Sequence, residues 1–252
     1  MPTETPQAAQ VLEDYLDLFQ SLADFGLEFV IIGGCAVGAY ARLLGETVVS
    51  GDLGLLVTQR ALETFVADSA GIGARVEKMP SPRSVPVAVV TWRAREINLL
   101  TSSTGLAPAD VEARSAREFP LNRGGQSTVV LIADPYDLLR NKLAVNRPKD
   151  QAHIALLRRF LDEEVVHAFV HEQEPRARLV PAERLLEVLG VRVLDEPLGV
   201  RLVPIARTPA DFRFLAHRLP TGVLIQELST RVPSDDVARV VERIVRARGL
   251  PE

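Results

Sequence analysis

Ile31-Ile32-Gly33-Gly34-Cys35-Ala36-Val37 is the stretch from which the rest of the chain reads. Glu28–Ile32 is a short apolar, β-branched run of strand length, and the residues from Ala36 to Leu44 carry helical patterning. A strand that ends in two glycines and turns at once into a helix has two uses. Glycine lets the backbone approach a ligand or a neighbour closely, and the helix N-terminus presents free N–H groups that suit an anion. Taken alone, the same pair is also an ordinary tight turn.

Upstream, Val11, Tyr15, Leu18 and Leu22 recur at helical spacing with acids between them, so an amphipathic helix is expected from about Ala8 to Phe25, stopped by Gly26. Downstream, Leu53–Val57, Val87–Trp92 and Glu96–Leu100 read as strands, the last two joined through Arg93–Arg95. Helices are expected at Arg60–Ala70 and Ala109–Arg117, with a strand at Thr128–Ile132 between the second of these and Asp134. Asp134 and Pro135 stand where an N-cap and a first helical residue belong, opening a helix to about Val145; another follows from Pro148. Strands alternating with helices give an α/β (α+β) class with a mixed sheet and flanking helices.

Gln173–Pro181 loses periodicity and holds two prolines, so it is expected to link a domain over 1–172 to a small C-terminal α/β segment over 181–252. Within that segment, helices are expected at Ala182–Leu189, Pro209–Leu219 and Ser234–Arg248, and strands at Val191–Leu194 and Val200–Ile205. The last helix carries Val237, Val240, Val241, Ile244 and Val245 on one face, which suits either core packing or a protein partner.

Composition narrows the function classes. With 252 residues, 47% of them hydrophobic, the chain can bury a sizeable core. A formal net charge of −4 supplies no global basic field, so nucleic acid is not indicated by charge. Cys35 is the single cysteine, which excludes an internal disulfide and suits a reducing cytoplasm. Met1–Gln10 lacks the basic-then-apolar order of a secretory leader, and the longest apolar runs are too short to span a bilayer. A cytoplasmic protein without membrane contact is the expectation. His167 and His171 lie four apart on a helical stretch, but no glutamate follows the first, so a zinc-protease motif is absent there.

Three further stretches give the glycine pair its meaning. Ser50-Gly51-Asp52-Leu53-Gly54-Leu55-Leu56-Val57 is a strand opening on an acid, and Glu96-Ile97-Asn98-Leu99-Leu100 is a later strand with polar residues at alternate positions. The fourth is Asp137-Leu138-Leu139-Arg140-Asn141-Lys142-Leu143-Ala144-Val145-Asn146-Arg147-Pro148-Lys149-Asp150. In this order, over roughly Gly26 to Leu161, they resemble the nucleotidyltransferase superfamily, in particular its small toxin-like members of the AbiEii kind. The resemblance implies a nucleotidyltransferase-type sheet, a nucleoside triphosphate as ligand and Mg2+ as cofactor. Gly33 and Gly34 would cradle the triphosphate; Lys142 and Arg147 would neutralise phosphate charge; Asp52 would hold metal.

The departures from that pattern matter as much. The family carries Asp-x-Asp on the strand and a third acid on another, because two dications need several carboxylate oxygens. Here Gly54 stands at the second acid and Asn98 at the third, and His153 replaces an often acidic residue. Glu96, two residues before Asn98, shares its strand face and is the candidate substitute ligand. Two functions stay open: a degenerate, nucleotide- or anion-binding protein, which could also engage a partner through its C-terminal segment, and an active transferase using Asp52 with Glu96 or Asn98.

Overall fold

A computed structural model describes residues 11–78, 87–106, 116–196, 199–204, 212–214 and 235–247. The chain divides into two compact units, residues 1–158 and 159–252.

The first unit is built on a seven-stranded mixed sheet. Its strands are β1 (Val30–Ile32), β2 (Asp52–Leu56), β3 (Ala74–Lys78), β4 (Val87–Trp92), β5 (Arg95–Leu100), β6 (Ala116–Arg123) and β7 (Gln126–Ala133), in the order β3-β4-β5-β2-β1-β7-β6. β2 runs parallel to β5 and β1 parallel to β7, while β1 and β2 are antiparallel to each other. The expected strands therefore share one sheet, and its mixed character is borne out. β1 is buried at every residue and β2 at all but its first, Asp52, as two-sided burial in a sheet centre demands.

The helices of this unit are α1 (Leu16–Asp24), α2 (Gly33–Leu43), α3 (Gln59–Asp68) and α4 (Pro135–Val145). A 3-10 turn, Leu12–Tyr15, leads into α1, whose Leu16, Leu18, Phe19 and Leu22 are buried. The expected cap of α4 is present: the Asp134 carboxylate accepts from the Tyr136 N–H at 3.0 Å, with Pro135 in the first turn. Asn146, in the left-handed conformation at φ 48°, closes that helix. Tyr40 of α2 donates its hydroxyl to the Ala133 carbonyl at 2.9 Å, tying α2 to the end of β7.

The helix α5 (Gln151–His171) runs across the division between the units. The second unit contains α6 (Pro175–Val188), α7 (Asp235–Ala247) and an antiparallel sheet of β8 (Val191–Glu196), β9 (Gly199–Pro204) and β10 (Phe212–Phe214). α6 packs on α7 and β8. Val237, Val240, Val241, Ile244 and Val245 of α7 are buried, so its apolar face is core within its own unit.

Four readings need correction. Ala116 and Arg117, expected to end a helix, instead open β6, where Phe119 and Leu121 face inward between exposed neighbours; the rest of that helix, 109–115, lies outside the described residues. Pro120 disguised this strand, yet an edge strand tolerates proline because its N–H need not pair. β3 was missed because it too is an edge and only Ala74 is buried. Phe212–Phe214 is strand rather than helix, held by pairing with β9; the flanking residues of the expected helix lie outside the described ones.

The fourth concerns 173–181, expected as a linker. It is helical from Pro175 onward, because proline in the first turn has no N–H to waste. Pro181 sits inside that helix and removes one backbone hydrogen bond, while Leu179, Ala182, Leu185 and Leu186 bury the face that holds the helix together.

Candidate functional site

The parallel pairing of β2 with β5 brings the first cluster together. Asp52 stands opposite Glu96, and Gly54 opposite Asn98. Because alternate residues of a strand share a face, Asp52, Gly54, Glu96 and Asn98 belong to one face of two neighbouring strands. The Asn98 amide Nδ2 donates to Asp52 Oδ2 at 2.9 Å and to Glu96 Oε1 at 3.2 Å. Ser50 donates its hydroxyl to Asp52 Oδ1 at 3.4 Å. Asp52, Glu96 and Asn98 are all half-buried.

The Asp52, Glu96 and Asn98 side chains thus meet through the Asn98 amide N–H. Each carboxylate has a neutral donor, and Gly54 adds no oxygen. This donor set offers two carboxylates, Asp52 and Glu96, where the resemblance implies three acids. Among the described residues, no group of three or more His, Cys, Asp or Glu side chains is gathered as a metal site. Gly54 is also a packing glycine: a Cβ there would lie 3.2 Å from Ile32 Cγ1 and 3.4 Å from the Ile32 carbonyl oxygen.

The two glycines of the quoted stretch have different reasons to be glycine. Gly33 adopts φ +76°, a conformation L-residues rarely enter, and a Cβ on it would meet nothing within 4 Å. Gly34 instead makes room: its Cβ would meet Ser50 Oγ at 2.6 Å, Ser50 Cβ at 3.1 Å and His153 Cε1 at 3.6 Å. Cys35, next along, is buried and donates its thiol to the Asp52 carbonyl at 3.4 Å. Burial, with the nearby Asp52 charge second, pushes its pKa up to about 12.

The second cluster surrounds Asp150, a carboxylate with 1% of its side chain exposed. Lys142, 4% exposed, donates to its Oδ1 at 2.8 Å. Arg147 donates twice, Nε to Oδ2 at 2.6 Å and Nη2 to Oδ1 at 3.1 Å, and its side chain is 49% exposed. Hydrogen bonding from Arg147, followed by Lys142, holds the Asp150 carboxyl well below the usual carboxylate range. His153 Nδ1 is buried, lies 3.9 Å from Asp150 Oδ1 and has no hydrogen-bond partner. Burial and the neighbouring Lys142 charge lower its pKa, so it is neutral at pH 7.

Sequence reasoning found Asp52, Glu96, Asn98, Gly33, Gly34, Lys142 and Arg147, but not what they touch. Ser50 and Asp150 were missed as partners. The sequence signals were a serine two residues before Asp52 and an acid three residues after Arg147, but an acid beside two basic residues usually marks a solvated surface, not a buried hub.

No protein-family description matches this chain, and no curated protein does. Among solved structures, ANT(2")-Ia in complex with adenylyl-2"-tobramycin is similar at 15% identity over 68% of this chain and 98% of that one, with a TM-score of 0.43. An antigenic nucleotidyltransferase-like protein from Paracoccidioides brasiliensis shares 15% identity over 71% of this chain and 90% of its own, at 0.38. A tRNA nucleotidyltransferase complexed with a primer tRNA and an incoming ATP analogue matches 92% of this chain and 75% of its own, at 15% identity and 0.26. Among the described residues, no helix is long and apolar enough to cross a membrane.

Proposed function

We propose that residues 1–172 form a nucleotidyltransferase-type domain that binds a nucleoside triphosphate or similar polyphosphate and acts by binding, with nucleotidyl transfer weak or lost. The observation that carries this reading is the Asn98 amide bridging Asp52 and Glu96 on the face where the resemblance puts metal ligands. A carboxylate pair joined by a neutral N–H donor is satisfied without a dication, and Gly54 adds no third acid. In this reading Gly33, where a Cβ would meet nothing, and Arg147, a half-exposed cation, would receive the anion. Labelled nucleoside triphosphates with Mg2+ or Mn2+ test it: binding is expected by equilibrium dialysis, with no labelled product above background. Brisk labelled product, abolished by Asp52→Ala, would sink the reading.

One observation favours a second reading. Glu96 lies directly opposite Asp52 in the β2–β5 register, so two carboxylates do share a face. In an active transferase, Asp52 and Glu96 would together hold magnesium after Asn98 turned its amide oxygen toward the ion. Loss of transfer in Glu96→Gln, alongside loss in Asp52→Ala, is the result expected of that alternative.

A further inference from the structure

The two basic residues assigned by resemblance to one anion-neutralising role have different surroundings. Lys142 is enclosed, with its ammonium on Asp150 Oδ1. Removing an ammonium from water is expensive unless a counter-ion is in contact, and that counter-ion is Asp150. Arg147 sits on the same carboxylate through Nε and Nη2, which leaves Nη1 outside the fork, and half of its side chain meets solvent. Two cations and one carboxylate leave one surplus positive charge. The neutral His153 adds none, so the surplus is available only where the cluster is open, at the guanidinium. A Cβ on Gly34 would lie 3.6 Å from His153 Cε1, and His153 Nδ1 is 3.9 Å from Asp150 Oδ1, so the cluster adjoins the glycine pair.

Resting on the polyphosphate-site reading above, we infer that Asp150 is a positioning residue that aims Arg147 at the anion, and that Lys142 is the buried counter-ion holding Asp150 rather than an anion contact. The bidentate fork fixes the guanidinium plane, as a carboxylate fixes arginine wherever two parallel N–H groups meet two oxygens. Lys142 offsets the cost of burying the carboxylate from the closed side, while Arg147 by itself reaches both Asp150 oxygens.

Inorganic tripolyphosphate, titrated calorimetrically into the full chain at two salt concentrations, tests this alongside thermal melts. Arg147→Met should lose at least about tenfold in affinity, the usual worth of a charge-assisted contact, and flatten the salt dependence. Arg147→Lys keeps the charge but not the fork, and should stay at least about fivefold weaker than the parent. Lys142→Met should melt roughly 10 °C lower, yet the folded fraction should bind within about threefold of the parent, with unchanged salt dependence. If Lys142→Met does not fold, the Arg147 pair still decides, because that side chain is half exposed. Parent-like binding by Arg147→Lys, or a tenfold loss in folded Lys142→Met, would overturn the inference. A parent chain that binds no tripolyphosphate would instead overturn the polyphosphate reading itself.

Discussion

The carboxylates at Asp52 and at Asp150 sit in the same unit under opposite regimes. Asp150 is enclosed and carries its charge because two cations donate to it. Asp52 is half-buried and, among the described residues, its carboxylate accepts from neutral donors, the Asn98 amide and the Ser50 hydroxyl. A buried charge with charged partners is a structural fixture: remove one partner and an uncompensated ion remains in the interior. A half-open carboxylate with neutral partners loses little when changed, since water substitutes for what is removed. The difference teaches where to look for function. The closed side of the Asp150 cluster, at Lys142, holds the fold, while its half-exposed Arg147 and the half-open Asp52 are where a ligand can reach.

The largest expected effect tests that contrast directly. Lys142→Met should cost about 3–5 kcal/mol in the stability of the first unit, whereas Asp52→Asn should cost less than about 1 kcal/mol. Denaturant unfolding followed by Trp92 fluorescence, the chain's single tryptophan, measures both. Equal costs would erase the distinction between the two carboxylates.

Restoring the absent acids comes next in size. Gly54→Asp must push Ile32 aside by a few tenths of an ångström, an overpacking cost of roughly 1–3 kcal/mol. Asn98→Asp keeps the shape but replaces the shared donor with a third negative charge, so its stability loss should shrink when Mg2+ is added. A Gly54→Asp variant as stable as the parent would show that the β1–β2 approach at Ile32 is looser than described.

The pH dependence sharpens the comparison from the Asp150 side. The folded pKa of Asp150 is depressed, so its contribution is complete above the unfolded value near about 4 and is lost as pH falls toward the folded one. His153 is also depressed, so below its ordinary value of about 6.5 the unfolded chain takes up a proton before the folded one does. Stability should therefore already decline below about pH 6.5, by at most about 1.4 kcal/mol per pH unit from this group. His153→Gln should remove that early decline and leave the later Asp150-linked loss in place. An unchanged profile in the variant would exclude His153 as its source.

The smallest effect is chemical. With its pKa pushed up to about 12, the Cys35 thiol should resist iodoacetamide at pH 8 in the folded chain and react promptly in denaturant. Rapid labelling of the folded chain would mean that the wall behind Asp52 is open.

Much of the sheet was legible because central strands advertise themselves. β1 and β2 are buried on both faces and read as continuous apolar runs, and Asp134-Pro135 announced a helix by chemistry that works locally. The edges were not legible. β3 is polar and β6 contains Pro120, features that local patterning assigns elsewhere and only pairing explains. In the site, Asp52, Glu96 and Asn98 could be chosen from strand alternation, yet the Asn98 bridge depends on the parallel register of two strands some forty residues apart. The burial of Lys142 was illegible for a related reason: nothing in a run of basic residues says that one of them points inward at Asp150.

Manganese binding, followed by the loss of the free-ion electron paramagnetic resonance signal in the absence of nucleotide, tests the central claim most directly. If the Asn98 amide takes the place of a cation between Asp52 and Glu96, the unaltered chain should leave millimolar Mn2+ essentially free, and Asn98→Asp should bind it measurably. Sub-millimolar binding by the unaltered chain, lost in Asp52→Ala, would contradict the account and make Asp52 and Glu96 a working metal site.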